Sequence, residues 1–174
     1  MKSLETIQKT FHVFEILTKI AMILSFVWAG LAALGMLCCA VWYYGGTVIG
    51  ANLDLFYLFT ETSDLLDATG VLLTDTIFAV TDGILFAFAD SYMKSEQTDG
   101  TPFTKRGADE IKRLGIRVIV MMLVAVILAA IVSAVFELPE IGTGRECIAS
   151  IFLGIVLIIT SLIFRYGAEL KSQK

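Results

Sequence analysis

Four long apolar stretches, at about residues 20–44, 71–92, 114–136 and 147–166, organise the chain, and the charged residues gather mainly in the segments between them. The apolar positions come in long runs and lack the short periodic pattern of a soluble core. Crossing about 30 Å of hydrocarbon takes roughly 20 helical residues at about 1.5 Å each, and every stretch meets or approaches that length. In hydrocarbon a backbone can satisfy its own N–H and C=O groups only as a helix or a closed barrel, and the alternation of a barrel strand is absent. The pattern predicts an all-α, integral membrane four-helix bundle. It forms a single membrane domain over residues 1–174, with a middle loop at 93–113 and two further loops at 45–70 and 137–146.

Charge orients this bundle. From Ile20 to Met93 there is no Lys or Arg, although the same stretch holds Asp54, Glu61, Asp64, Asp67, Asp75, Asp82 and Asp90. Basic residues cluster in the N-terminal segment (Lys2, Lys9, Lys19), the middle loop (Lys94, Lys105, Arg106, Lys112, Arg113, Arg117) and the tail (Arg165, Lys171, Lys174). Positive charge in short loops stays cytoplasmic, and the 45–70 and 137–146 loops hold only Arg145 against Asp54, Glu61, Asp64, Asp67, Glu137, Glu140 and Glu146, so both termini and the 93–113 loop are expected inside and those two loops outside. The first stretch follows lysines as an export signal would, but it outruns a signal core of about 7 to 15 residues. Cys38-Cys39-Ala40-Val41-Trp42 also offers no small-x-small cleavage site, so an uncleaved span is expected. Aromatic belts are expected at Trp42, Tyr43 and Tyr44 on the outer side and at Tyr92 and Tyr166 on the inner side.

Composition excludes several functions. A net charge of -4 with no basic stripe outside the loops is not a nucleic-acid footprint, so no direct nucleic-acid binding is expected. Cys38, Cys39 and Cys147 have no metal-ligand spacing and read as packing residues, with a disulfide between Cys147 and the adjacent pair as the alternative. His12 is the single histidine and precedes the first span, so haem ligation by two histidines of one chain is excluded. No catalytic residues, metal or cofactor are expected.

The second span carries the most unusual chemistry. Asp75, Asp82 and Asp90 recur every seven or eight residues, which puts Asp75 and Asp82 on one helical face with Asp90 turned partly away. An Asp at mid-membrane costs about 2.5 to 3.5 kcal/mol to insert, while each large apolar residue returns about 0.3 to 0.6. The apolar residues between Val71 and Phe88 barely cancel two such acids, so this helix should keep them away from lipid. Either the three aspartates form an intramembrane polar or ion site, or they hydrogen-bond to Ser25, Ser133, Thr160, Ser161 or backbone groups and hold the bundle together. Two stacked acids on one helix do not make a protease dyad, which needs carboxylates meeting across helices.

In the middle loop, Asp99-Gly100 and Thr101-Pro102 are turn chemistry, and Thr104 is placed to cap a helix. Ile111, Leu114 and Val118 share a face, so the third span should begin as an amphipathic helix before it enters the membrane. Arg113 and Arg117 are either anchors that meet lipid phosphates or part of a docking surface. Four-residue spacings of small residues at Gly83 and Ala87, Ala125 and Ala129, and Ala130 and Ala134 suit close helix packing and a homo-oligomer.

Gly100-Thr101-Pro102-Phe103-Thr104, then Ile111-Lys112-Arg113-Leu114-Gly115, then Phe164-Arg165-Tyr166-Gly167-Ala168-Glu169-Leu170 resemble the bacterial membrane family known as domain of unknown function 2975. The resemblance implies four spans in a bacterial cytoplasmic (inner) membrane and a small Cro-like helix-turn-helix regulator as partner. It points to a non-enzymatic regulator or sensor whose cytoplasmic docking surface comprises Pro102, Phe103, Thr104, Arg113, Arg165 and Glu169. The alternative is a small ion-coupled transporter, or a peptide-resistance or immunity protein, working through the intramembrane aspartates. Lys105-Arg106-Gly107-Ala108 and the short ending Lys171-Ser172-Gln173-Lys174 depart from the family pattern, where an acidic residue and Asn follow the motif and a longer acidic tail is frequent.

Overall fold

The computed structural model describes residues 2–45, 65–99, 104–138 and 143–172. They form four helices: α1 (Lys2–Gly45), α2 (Leu65–Asp99), α3 (Lys105–Phe136) and α4 (Thr143–Ser172). Each contains a segment long and apolar enough to cross a membrane, at His12–Val41, Leu65–Glu96, Lys105–Phe136 and Ile148–Leu170. The helices outrun the apolar stretches mainly at the basic end. There α1 begins well before Ile20, α2 continues to Asp99, and α3 starts at Lys105 and runs without a break into its apolar part, as the amphipathic face of Ile111, Leu114 and Val118 implies.

The helices alternate in direction. Gly35 of α1 meets Leu72 of α2, whereas Phe26 meets Gly83. Gly70 of α2 meets Phe136 and Leu138 beside the far end of α3, and Phe88 lies under Arg117 nearer its start. Gly115 of α3 meets Ile158 of α4, and Gly154 meets Ile119. Both ends of the chain and the α2–α3 connection therefore share one end of the molecule, and the other two connections share the opposite end.

The packing order corrects one expectation. Among the described residues α1 packs on α2, α2 on α3 and α3 on α4, and α1 makes no contact with α4, so the helices form an open row instead of a closed bundle. The inner helix α2 shows how. Ala68, Leu72 and Gly83 meet α1, while Gly70, Phe88 and Tyr92 meet α3. At about 100° per residue these two sets point in nearly opposite directions.

Small residues sit where the seams are tightest. On α1, Ala29, Ala32 and Cys39 are buried, with Ala32 and Cys39 against Ala68 and Leu72. On α3, Val118, Met122, Ala125 and Ala129 recur at alternating spacings of four and three, the seam of coiled-coil-like packing. The Ala125 and Ala129 pair is thus used, and Gly83 is seated against Phe26, whereas Ala130 and Ala134 are exposed. Backbone meets backbone between α3 and α4: a Cβ on Gly115 would stand 2.8 Å from the Gly154 carbonyl oxygen, and one on Gly154 2.9 Å from that of Gly115. Apolar lipid gives helices no hydrophobic reason to associate, so this close backbone contact is the kind of packing that holds a membrane seam.

α3 ends at a left-handed residue, Glu137 (φ 53°), whose N–H and that of Leu138 both donate to the Ser133 carbonyl. The outer faces are apolar, with Leu24, Leu37, Val135, Ile148 and Phe152 all more than 60% exposed, in keeping with helices long and apolar enough to cross a membrane. Cys39 lies in the α1–α2 seam and Cys38 is exposed, both as free thiols. The side chains of Cys147, Trp42, Tyr43 and Tyr44, and the 46–64 segment, lie outside the described residues.

Candidate functional site at the basic end

The α2–α3 junction builds a defined surface. Thr104 takes an extended conformation and its hydroxyl accepts a 2.9 Å hydrogen bond from the Gly107 N–H, while the Thr104 carbonyl accepts from Ala108 N–H at 3.1 Å. This is the N-cap expected from the sequence. Glu96, in the last turns of α2, is 3% exposed, and its carboxylate lies so close over Gly107 that any Cβ there would collide with Oε1. A carboxylate against the first turn of a helix meets the positive end of its dipole and its unpaired N–H groups. The end of α2 and the start of α3 are thereby locked together. Neither Glu96 nor Gly107 stands out in the sequence as a site residue, because their meeting depends on how the two helices fold back.

Beyond this junction a cleft of about 330 Å³ opens between the two helices. α2 contributes Phe88, Ser91, Tyr92 and Ser95, and α3 contributes Arg106, Glu110, Arg113, Leu114 and Arg117. Arg106 binds Glu110 across one turn at 3.1 Å. Arg117 lies over the Phe88 ring, 4.2 Å from its centroid, a cation–π contact. Arg113 is exposed, and among the described residues it has no hydrogen-bond or ion-pair partner. The helical spacing of residues 106, 110, 113 and 117 was the available signal for this face. The α2 side of the cleft had none.

The docking surface expected from the sequence is only partly assembled. Thr104 is committed to the cap and Arg113 lines the cleft. Arg165 and Glu169 pair with each other on α4 at 3.6 Å, outside the cleft lining. Pro102 and Phe103 lie outside the described residues.

The three aspartates of the second span do not form one site. Asp90 is 7% exposed in the seam with α1; its Oδ2 binds Lys94 Nζ at 2.6 Å, and its charge also acts on Lys19, which is itself bound to the buried Glu15. The sequence shows no cation at the depth of these acids, and for Asp90 the structure corrects that: a lysine one turn further along the same helix reaches back to it. Asp75 is half-buried and Asp82 exposed. This departs from the expectation that both acids turn away from the surroundings. The buried Thr74 and Thr81 precede them on the helix, and their hydroxyls bond the Gly70 and Ile77 carbonyls. With the α1 and α3 seams on opposite sides of α2, Asp75 and Asp82 are left on the lateral face between them. Thr160 and Ser161, offered as polar partners, donate to Val156 and Ile158 of their own helix.

In comparisons with protein-family models, curated proteins and solved structures, nothing matches this chain.

Proposed function

We propose that this chain is a non-enzymatic, multi-pass regulator or sensor of the bacterial cytoplasmic membrane, with both termini inside, that controls a small cytoplasmic helix-turn-helix DNA-binding partner. The observation that carries the reading is the built surface at the basic end. Glu96 and Thr104 lock the start of α3 in place, and a continuous helix then presents Arg106, Arg113 and Arg117 on one face. The basic residues of the middle segment orient that end toward the cytoplasm, and the described motif residues behind the family resemblance, Thr104, Ile111 to Gly115 and Phe164 to Leu170, lie toward the same end. A surface of this charge favours an acidic segment of the partner, away from its DNA-binding face.

Transport or immunity through Asp75 and Asp82 has less support, because Asp82 is exposed on the outside of the helix row instead of enclosed between helices. The test is mass spectrometry of proteins that co-purify with the tagged chain from native membranes in gentle detergent. A stoichiometric small helix-turn-helix protein, lost in a Phe103→Ala, Arg113→Ala double variant of normal membrane abundance, is the expected result. Recovery of the chain alone, or unaltered partner control in the double variant, refutes the reading.

A further inference from the structure

The cleft between α2 and α3 combines three features that an anchoring arginine does not need: a concave volume, an excess of positive charge, and a fixed depth. Arg106 and Glu110 neutralise each other, which leaves Arg113 and Arg117 as uncompensated charge in a cleft of about 330 Å³. Arg117 is held in position by the Phe88 ring. Ser95 adds a hydroxyl group to the opposite wall, beside the buried Tyr92 ring.

Depth follows from helix geometry. From Arg117 to the end of α3 at Phe136 the helix rises about 28 Å, close to the hydrocarbon thickness of about 30 Å. If the far end of α3 sits at one hydrocarbon boundary, Arg117 sits at the other and Arg113 one turn outside it, at the level of lipid phosphates. The same face of α3 continues inward as Val120 and Val124, which are 51% and 50% exposed. One face thus changes from guanidinium to aliphatic at the depth where a phospholipid changes from headgroup to acyl chain.

We propose that this cleft is a binding site for an anionic phospholipid, its phosphate held by Arg113 and Arg117 and its acyl chain lying along Val120 and Val124. Guanidinium groups match phosphate oxygens in charge and hydrogen-bond geometry, and basic pockets between membrane helices suit anionic headgroups. A zwitterionic lipid carries its own ammonium and leaves the excess positive charge unmatched. The inference rests on the helices spanning a membrane; it uses Arg113 and Arg117 of the docking face proposed above, so a bound lipid and a protein partner would compete for those two side chains.

The test is native mass spectrometry of the delipidated full chain in neutral detergent, with added phosphatidylglycerol or phosphatidylcholine of identical chains. Phosphatidylglycerol should be retained about tenfold or more over phosphatidylcholine. An Arg113→Gln, Arg117→Gln double variant should lose that preference, the Arg113→Lys, Arg117→Lys variant should keep part of it, and Arg165→Gln should leave it unchanged. Equal retention of the two lipids by the unmodified chain overturns the proposal, as does a preference that survives the double glutamine change. Millimolar inorganic phosphate that fills the site while lipid chains add nothing assigns the cleft to a soluble phosphate and overturns it too. Crosslinking from position 113 to an acidic protein segment, with no lipid preference in the purified chain, would give the cleft to a protein and equally refute it.

Discussion

The Gly115–Gly154 crossing makes the sharpest quantitative prediction about this fold. A methyl group at Gly115 would lie 2.8 Å from the Gly154 carbonyl oxygen, 3.0 Å from Cγ1 of Ile158 and 3.1 Å from Cβ of Leu157. Ordinary contact begins near 3.4 Å and the nearest atom belongs to the backbone, so α3 and α4 must part by about 0.6 Å. A gap of that size forfeits about a quarter or more of each dispersion contact, themselves worth about 0.1–0.2 kcal/mol, and roughly 40 atom pairs across the seam lose about 1–2 kcal/mol together. Alanine returns up to about 1 kcal/mol as the better helix former. Gly115→Ala should therefore destabilise by about 1 kcal/mol, and Gly115→Val by about 3. Gly30 supplies the control, since a Cβ there meets nothing within 4 Å, and Gly30→Ala should gain up to about 1 kcal/mol. Reversible unfolding in mixed micelles, titrated with SDS and followed by circular dichroism, measures all three. A Gly115→Ala midpoint at or above that of the unmodified chain, moving with Gly30→Ala, would refute the crossing.

Two further predictions test the basic end and the acidic span. Thr104→Ala removes the cap of α3 and should cost about 1 kcal/mol, with faster hydrogen exchange at the Gly107 amide and little change at the Gly115–Gly154 crossing; uniform acceleration along α3 would argue against a local cap. In the same unfolding assay Asp82→Asn serves as the comparison for the acidic span, because this acid lies on the lateral face of α2 and not in a helix seam. Lys94→Met should cost more than Asp82→Asn, since it strips the buried Asp90 carboxylate of a direct partner; the opposite order would show that Asp82 is the acid that holds the helices together.

The four described helices, their approximate bounds, the N-cap at Thr104 and the basic character of one end were all legible in the sequence. The reason is that these properties are local. Hydrocarbon thickness imposes a run length that any window of the chain reveals, caps depend on a residue and its next three neighbours, and loop charge needs no fold to be counted. Which face of each helix meets another helix was not legible, because a span that is apolar all round reads the same whether lipid or protein covers it. Ala125 and Ala129 became seam residues while the equally spaced Ala130 and Ala134 stayed exposed. The Gly115–Gly154 contact, the seat of Glu96 over Gly107, and the separation of Asp90 from Asp75 and Asp82 depend on the offset and rotation between helices. Only tertiary packing decides those, because offset and rotation are set by the best fit of two whole surfaces and by no single segment.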